Sequence, residues 1–132
     1  MFEAKVIACS VRRTARELYE MFWTPESFPK WASGLSEASL ERDEAGWRAQ
    51  GPEGPIRIMF SEHNRFGVMD HWVDLADGRI VYVPMRVVAN GDGSEVMLTL
   101  FRQPGMSDEK LAEDEAWIRR DLAVLKGLTE SA

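Results

Sequence analysis

The feature that most constrains this chain is its ending: residues 108–130 read as one long amphipathic helix, after a stretch from 36 to 103 that reads as strands and turns. In the helix Leu111, Ile118, Leu122 and Leu125 recur at helical spacing, and Trp117, Val124 and Leu128 widen the stripe. Acidic residues crowd its first half and Arg119, Arg120 and Lys126 its second, complementing the helix dipole. An apolar stripe must be buried against something, and the preceding text supplies an antiparallel sheet. The expected class is therefore α+β.

The N-terminal part supplies the remaining elements. Residues 2–9 alternate Phe2, Ala4, Val6 and Ala8 with Glu3 and Lys5, a strand with one wet face. Thr14 and Glu17 have capping-box spacing, and Leu18, Met21 and Phe22 line one face of the short helix that follows. Thr24-Pro25 opens a second short helix, ending around Trp31–Gly34. Chain breakers stand at Asp43–Gly46, Gly51–Gly54, Asp77-Gly78 and Asn90–Gly93. Asp77-Gly78 predicts a two-residue hairpin turn, in which both central residues take φ > 0.

Composition bounds the function. A chain of 132 residues, with 45% hydrophobic and 29% charged residues, fits a single domain spanning 1–132 with its own core. The lone Cys9 can form no internal disulfide, and no leader or apolar run of ~18 residues is evident, so a cytoplasmic protein without a membrane span is expected. A net charge of −6, with dispersed basic residues, disfavours nucleic acid as a partner. No cofactor motif is present. Metal is not expected either, because His63 and His71, the only histidines, fall on opposite faces of the drawn sheet. Asp70 and Asp74 share the outer face, a poor place for paired acid/base work.

The order of strand, two short helices, antiparallel strands and a final long helix resembles the START-related (SRPBCC) superfamily of lipid-transfer domains, birch-pollen-type allergens and polyketide cyclases. The small bacterial members labelled polyketide cyclase/dehydrase are the most similar. The matching stretches are Thr24–Trp31, Phe66–His71, Val83–Val87, Leu98–Arg102 and Asp114–Leu122. The resemblance implies a helix-grip fold: a curved antiparallel sheet of about seven strands wrapped around the C-terminal helix, with two short helices after strand 1 and a cavity between sheet and helix. It specifies fold rather than chemistry. The glycine-rich loop of the plant allergens is not reproduced, so their ligands do not carry over.

Drawing the sheet gives the candidate site. A two-residue turn at Asp77-Gly78 sets Val73 opposite Tyr82. A turn at Arg65-Phe66 sets Phe60 opposite His71, and a four-residue loop at Asn90–Gly93 sets Arg86 opposite Met97. The helix-facing side then holds Ile56, Ile58, Phe60, Met69, Val73, Leu75, Ile80 and Phe101 together with Glu62, His71, Tyr82, Arg86, Glu95 and Thr99; Met97 is likewise assigned to the cavity. Diagonal neighbours ~7–8 Å apart let His71 reach Glu62, Tyr82 or Arg86, and Arg86 reach Glu95 or Thr99. Phe28, Trp31 and Trp117 are candidates for the pocket mouth. Pro84, lacking a ladder donor inside a strand, marks where the register can slip by one.

The expected function is binding of a small, mostly apolar ligand (lipid-, polyketide- or aromatic-like) with its polar end at His71, Tyr82, Arg86 and Thr99. The alternatives are a polyketide cyclase/dehydratase-type enzyme using His71, Tyr82 and Arg86, and a protein-interaction module with a filled core. The opposite sheet face carries Val81, Val83, Met85, Val87, Val96, Leu98, Leu100 and Trp72. Either a homodimer covers that patch, or the two faces are exchanged and Arg86 is exposed.

Overall fold

The computed structural model describes residues 1–33, 40–51 and 54–132. Strand β1 (Ala4–Val11) leads into helix α1 (Ala15–Phe22), a 3₁₀ turn (Pro25–Ser27) and the four-residue helix α2 (Phe28–Trp31). Seven strands follow: β2 (Glu41–Asp43), β3 (Gly46–Gly51), β4 (Gly54–Phe60), β5 (His71–Asp74), β6 (Ile80–Val83), β7 (Met85–Asn90) and β8 (Gly93–Phe101). Helix α3 (Asp108–Glu130) ends the fold. This is the expected α+β helix-grip arrangement, with eight described strands rather than about seven. Among the described residues β2 is a three-residue edge strand paired only with β3. The expected helix end at Gly34 and the breaker at Pro52-Glu53 lie outside the described residues.

The helices start where their caps place them. Thr14 Oγ1 accepts the Glu17 N–H at 3.2 Å, half of the expected capping box. Ser107 does the same for Lys110 at 3.1 Å, and Asp108 and Glu109 occupy the first turn of α3. Inward, α1 contributes Leu18, Tyr19 and Phe22, and α3 contributes Leu111, Leu122, Leu125 and Thr129.

The strands form two antiparallel sheets, ordered β1-β8-β7 and β2-β3-β4-β5-β6. The chain passes from one to the other at Pro84, which has no N–H to give to a ladder. Beyond it β7 takes a second neighbour, residues 67–69: Met69 N–H bonds Met85 O at 2.8 Å and Val87 N–H bonds Gly67 O at 3.0 Å.

Two of the expected registers hold: Phe60 pairs with His71, and Arg86 with Met97. The one between β5 and β6 is shifted by a residue, so that Trp72, not Val73, faces Tyr82. The connection is a three-residue loop, Ala76–Gly78, closed by Leu75 N–H on Arg79 O at 3.0 Å. Ala76 takes a left-handed φ of 64° there, and the carboxylates of Asp74 and Asp77 hold the loop by accepting the N–H groups of Ala76 and Arg79.

A one-residue shift exchanges the faces of everything downstream. Met85, Val87, Val96 and Leu98 are buried in the core, while Tyr82, Arg86, Glu95, Met97, Thr99 and Phe101 lie on the outer face. Ile80, expected inside, is exposed. On β4 and β5 the expected inward residues Ile56, Ile58, Phe60, His71 and Val73 keep their side. Met85, Val87, Val96 and Leu98 of the apolar patch assigned to the outer face are thus part of the chain's own core, with Val83 and Leu100 packed against it, while Trp72 stays outside, stacked on Tyr82.

Candidate functional site

Between the sheet and α3 lies a cleft of about 320 Å³. Ile56, Ile58, Val73 and Leu100 form its sheet wall; Trp117 and Ile118 form its helix wall. The period-two alternation of β4 and β5 aims these aliphatic side chains inward. Its polar residues are engaged elsewhere. Lys110 and Asp114 form an ion pair at 3.0 Å. Asp121 Oδ1 accepts both the backbone N–H (3.1 Å) and the hydroxyl of Ser33, and that hydroxyl in turn accepts the Trp117 indole N–H. Burial pushes the Asp121 carboxyl above its ordinary pKa, against the Ser33 bonds that pull it down. This chain of bonds fastens the end of α2 to α3 at the side of the cleft.

Phe28 of α2 lines the cleft and also a second space behind it. That inner chamber is walled by Trp31, Phe60, His71, Met69 and Met85 and has about 10 Å³ free, the room of one water molecule. Phe28 meets Trp31, Phe60 and His71 edge-on at 5.2, 5.3 and 5.0 Å. His71 is buried, and burial drives its pKa down to about 4, against a hydrogen bond with the Met69 backbone and the nearby Asp70 charge. The imidazole is therefore neutral at pH 7. Trp31 is 5% exposed, and its buried Nε1 has no hydrogen-bond partner among the described residues.

On the other side of β5, Asp70 is buried and accepts four hydrogen bonds through its carboxylate. Arg86 donates two, Nε to Oδ1 at 2.9 Å and Nη2 to Oδ2 at 2.8 Å. Tyr82 Oη donates at 2.6 Å and the Met85 N–H at 2.9 Å. Burial pushes the Asp70 carboxyl up, but the bonds from Arg86, Tyr82 and Met85 outweigh it and hold the pKa below the ordinary value. Trp72 and Phe101 stack on either side of Tyr82, at 5.2 and 6.4 Å.

The structure therefore divides the candidate residues. Phe60, His71 and Trp31 meet around the inner chamber, and Trp117 stands at the cleft. Tyr82 and Arg86 are clamped to Asp70 on the far face, apart from His71, so the three do not converge. Arg86 pairs with Asp70 rather than with Glu95, which instead accepts the Ser10 hydroxyl at 2.6 Å. Met97, Thr99 and Phe101 share the outer face, and Glu62 is exposed in the loop after β4. Sequence reasoning placed Asp70 on the outer face correctly but missed its role as the Arg86 partner, which only the shifted register brings within reach. It also missed the Ser33–Asp121 link, for which the sequence carries no signal.

The sequence matches no family model and no curated protein. The fold has many solved counterparts. The protein XoxI from Bacillus cereus superimposes with a TM-score of 0.73 at 14% identity, over 96% of this chain and 94% of that one. Ara h 8.0201 superimposes at 0.71 with 12% identity over 100% of both chains. DynU16, a protein of the dynemicin biosynthetic locus, does so at 0.70 with 15% identity, over 96% of this chain and 47% of its own. At these identities the likeness is one of fold alone, a helix-grip architecture.

Proposed function

We propose that residues 1–132 act as one ligand-binding domain that takes a small, mostly apolar molecule into the cleft between sheet and α3. One observation carries this reading: an aliphatic wall of Ile56, Ile58, Val73 and Leu100 stands against an open space of about 320 Å³ beside an otherwise closed core. That volume suits a ligand of one or two fused rings, at the small end of the ~300–1,000 Å³ typical of ligand sites. The fold likeness to DynU16, from a locus that makes a small molecule, agrees with such a ligand. Binding is favoured over turnover because the ionisable groups at the cleft are paired with each other or with Ser33, and His71 stands behind Phe28.

The test is titration with an uncharged, environment-sensitive naphthalene dye. The expected result is saturable one-to-one binding that Val73→Trp abolishes without lowering the melting temperature. Absence of saturable binding to the folded chain would overturn the reading.

A further inference from the structure

We propose that the chamber behind Phe28 reads one end of the ligand, a neutral hydrogen-bond acceptor such as a ketone or aldehyde oxygen, with the Trp31 indole N–H as donor. Phe28 is the partition that turns aside to admit it. This rests on the cleft being the ligand site and goes further by naming the chemical group that enters deepest.

The unpartnered donor is the starting point. Buried indole N–H groups almost always have a partner, and Trp31 Nε1 has none among the described residues. The groups of Asp70, Ser61 and His71 beside it are engaged with one another and with their neighbours. Both Asp70 carboxylate oxygens accept bonds from Arg86, Tyr82 and Met85 N–H. The Ser61 hydroxyl donates to the Asp70 carbonyl at 2.7 Å, and His71 is bonded to the Met69 backbone. Among the described residues no acceptor meets Trp31 Nε1, and that acceptor is assigned to the ligand. The chamber as it stands admits no more than a water, and Phe28 lines both it and the cleft. Rotation of that one ring joins an apolar cleft to a single buried donor.

The surroundings also set the charge of what enters. Among the described residues no cation lines the chamber, and Arg86 is committed to the Asp70 carboxylate. His71 adds no charge at neutral pH, since burial holds it neutral. A carboxylate entering here would shed its water beside Asp70 with nothing positive to meet it, whereas a carbonyl needs only the indole N–H.

Three probes of one shape test this: 2-acetylnaphthalene, 2-ethylnaphthalene and 2-naphthoate. The ketone is expected to bind at least ~tenfold tighter than the hydrocarbon, the scale of one buried hydrogen bond. Naphthoate is expected to bind more weakly than the ketone. In ¹⁵N-labelled protein, the Trp31 indole N–H should shift downfield with the ketone and not with the hydrocarbon. Trp31→Phe should erase the ketone's advantage and leave hydrocarbon affinity within about twofold; if that variant does not fold, the indole shift in the unmodified chain decides. Equal affinities for ketone and hydrocarbon with an unmoved indole signal would overturn the inference and leave the cleft reading standing. Failure of all three probes to bind would overturn the cleft reading itself.

Discussion

Asp70 and His71 are consecutive residues that point to opposite sides of the sheet, and both are buried. The Asp70 carboxylate is charged and gripped by Arg86; the His71 imidazole is neutral and packed edge-on against Phe28. One short segment thus fixes the junction of the two sheets on one side and the inner end of the candidate ligand space on the other.

Removing Arg86 should therefore affect stability before it affects binding. Arg86→Leu leaves a buried carboxylate without its cation and is expected to cost about 2–3 kcal/mol in urea unfolding, because the Asp70 end of the pair is shielded from water even though the guanidinium is half exposed. Asp70→Leu combined with Arg86→Leu should cost clearly less than the sum of the two single changes. An unchanged unfolding midpoint in Arg86→Leu would show that the clamp is dispensable.

Acid should destabilise the fold in two steps of known sign. Above about pH 6.5 His71 is neutral whether folded or unfolded and contributes nothing to pH dependence. Between 6.5 and about 4 the unfolded chain takes up a proton that the buried imidazole refuses, so stability falls, by ~3 kcal/mol in all, and then levels off for this group. Asp70, with its pKa held low, adds a second loss as the pH drops through that lowered value. Replacing His71 with Leu should flatten the first step alone. Parallel pH profiles for the parent and His71→Leu, followed by denaturant unfolding, would contradict this.

Neighbouring positions on β8 should answer in opposite ways. Val96 is fully buried and Met97 lies on the outer face, half-buried. Val96→Ala is expected to cost about 2 kcal/mol, and Met97→Ala under about 1. Met97→Trp should leave dye binding intact, whereas Val73→Trp blocks it. The reverse pattern would restore the faces that a two-residue turn predicts.

Gly67 should tolerate no side chain. Its φ is +71°, and a Cβ there would lie 2.2 Å from the Val87 carbonyl oxygen, in the segment where Gly67 O accepts the Val87 N–H. Gly67→Ala is expected to cost more than ~2 kcal/mol, by positive-φ strain and loss of that pairing. A melting temperature within a degree or two of the parent would show that the strand segment simply gives way.

What the sequence made legible follows from which signals are local. The α3 stripe through Leu111, Ile118, Leu122 and Leu125, the Thr14 cap, the Phe60–His71 pairing and the Arg86–Met97 register all rest on short-range periodicity or turn chemistry, and each is present. Val124 and Leu128, expected to widen the stripe, are instead exposed. The failure of register has one source. Asp77-Gly78 is a strong two-residue turn signal, yet the loop takes in Ala76 at a φ that alanine rarely adopts, held there by two aspartate bonds. That extra residue exchanged the faces of Tyr82, Arg86, Thr99 and their neighbours in the sequence reading, and it hid the Asp70–Arg86 clamp. The Trp31 donor was illegible for another reason: an unmade bond has no sequence signature.

The passage through Pro84 has a consequence for hydrogen exchange. Proline offers no amide proton, and the next one, on Met85, is covered by the Asp70 side chain instead of a neighbouring strand. Its protection from solvent deuterium thus depends on a carboxylate's charge, while the Val87 amide two residues on depends on a peptide carbonyl. Two sites separated by one residue in the same strand therefore report separately, one on the ionic clamp between the sheets and the other on the backbone ladder.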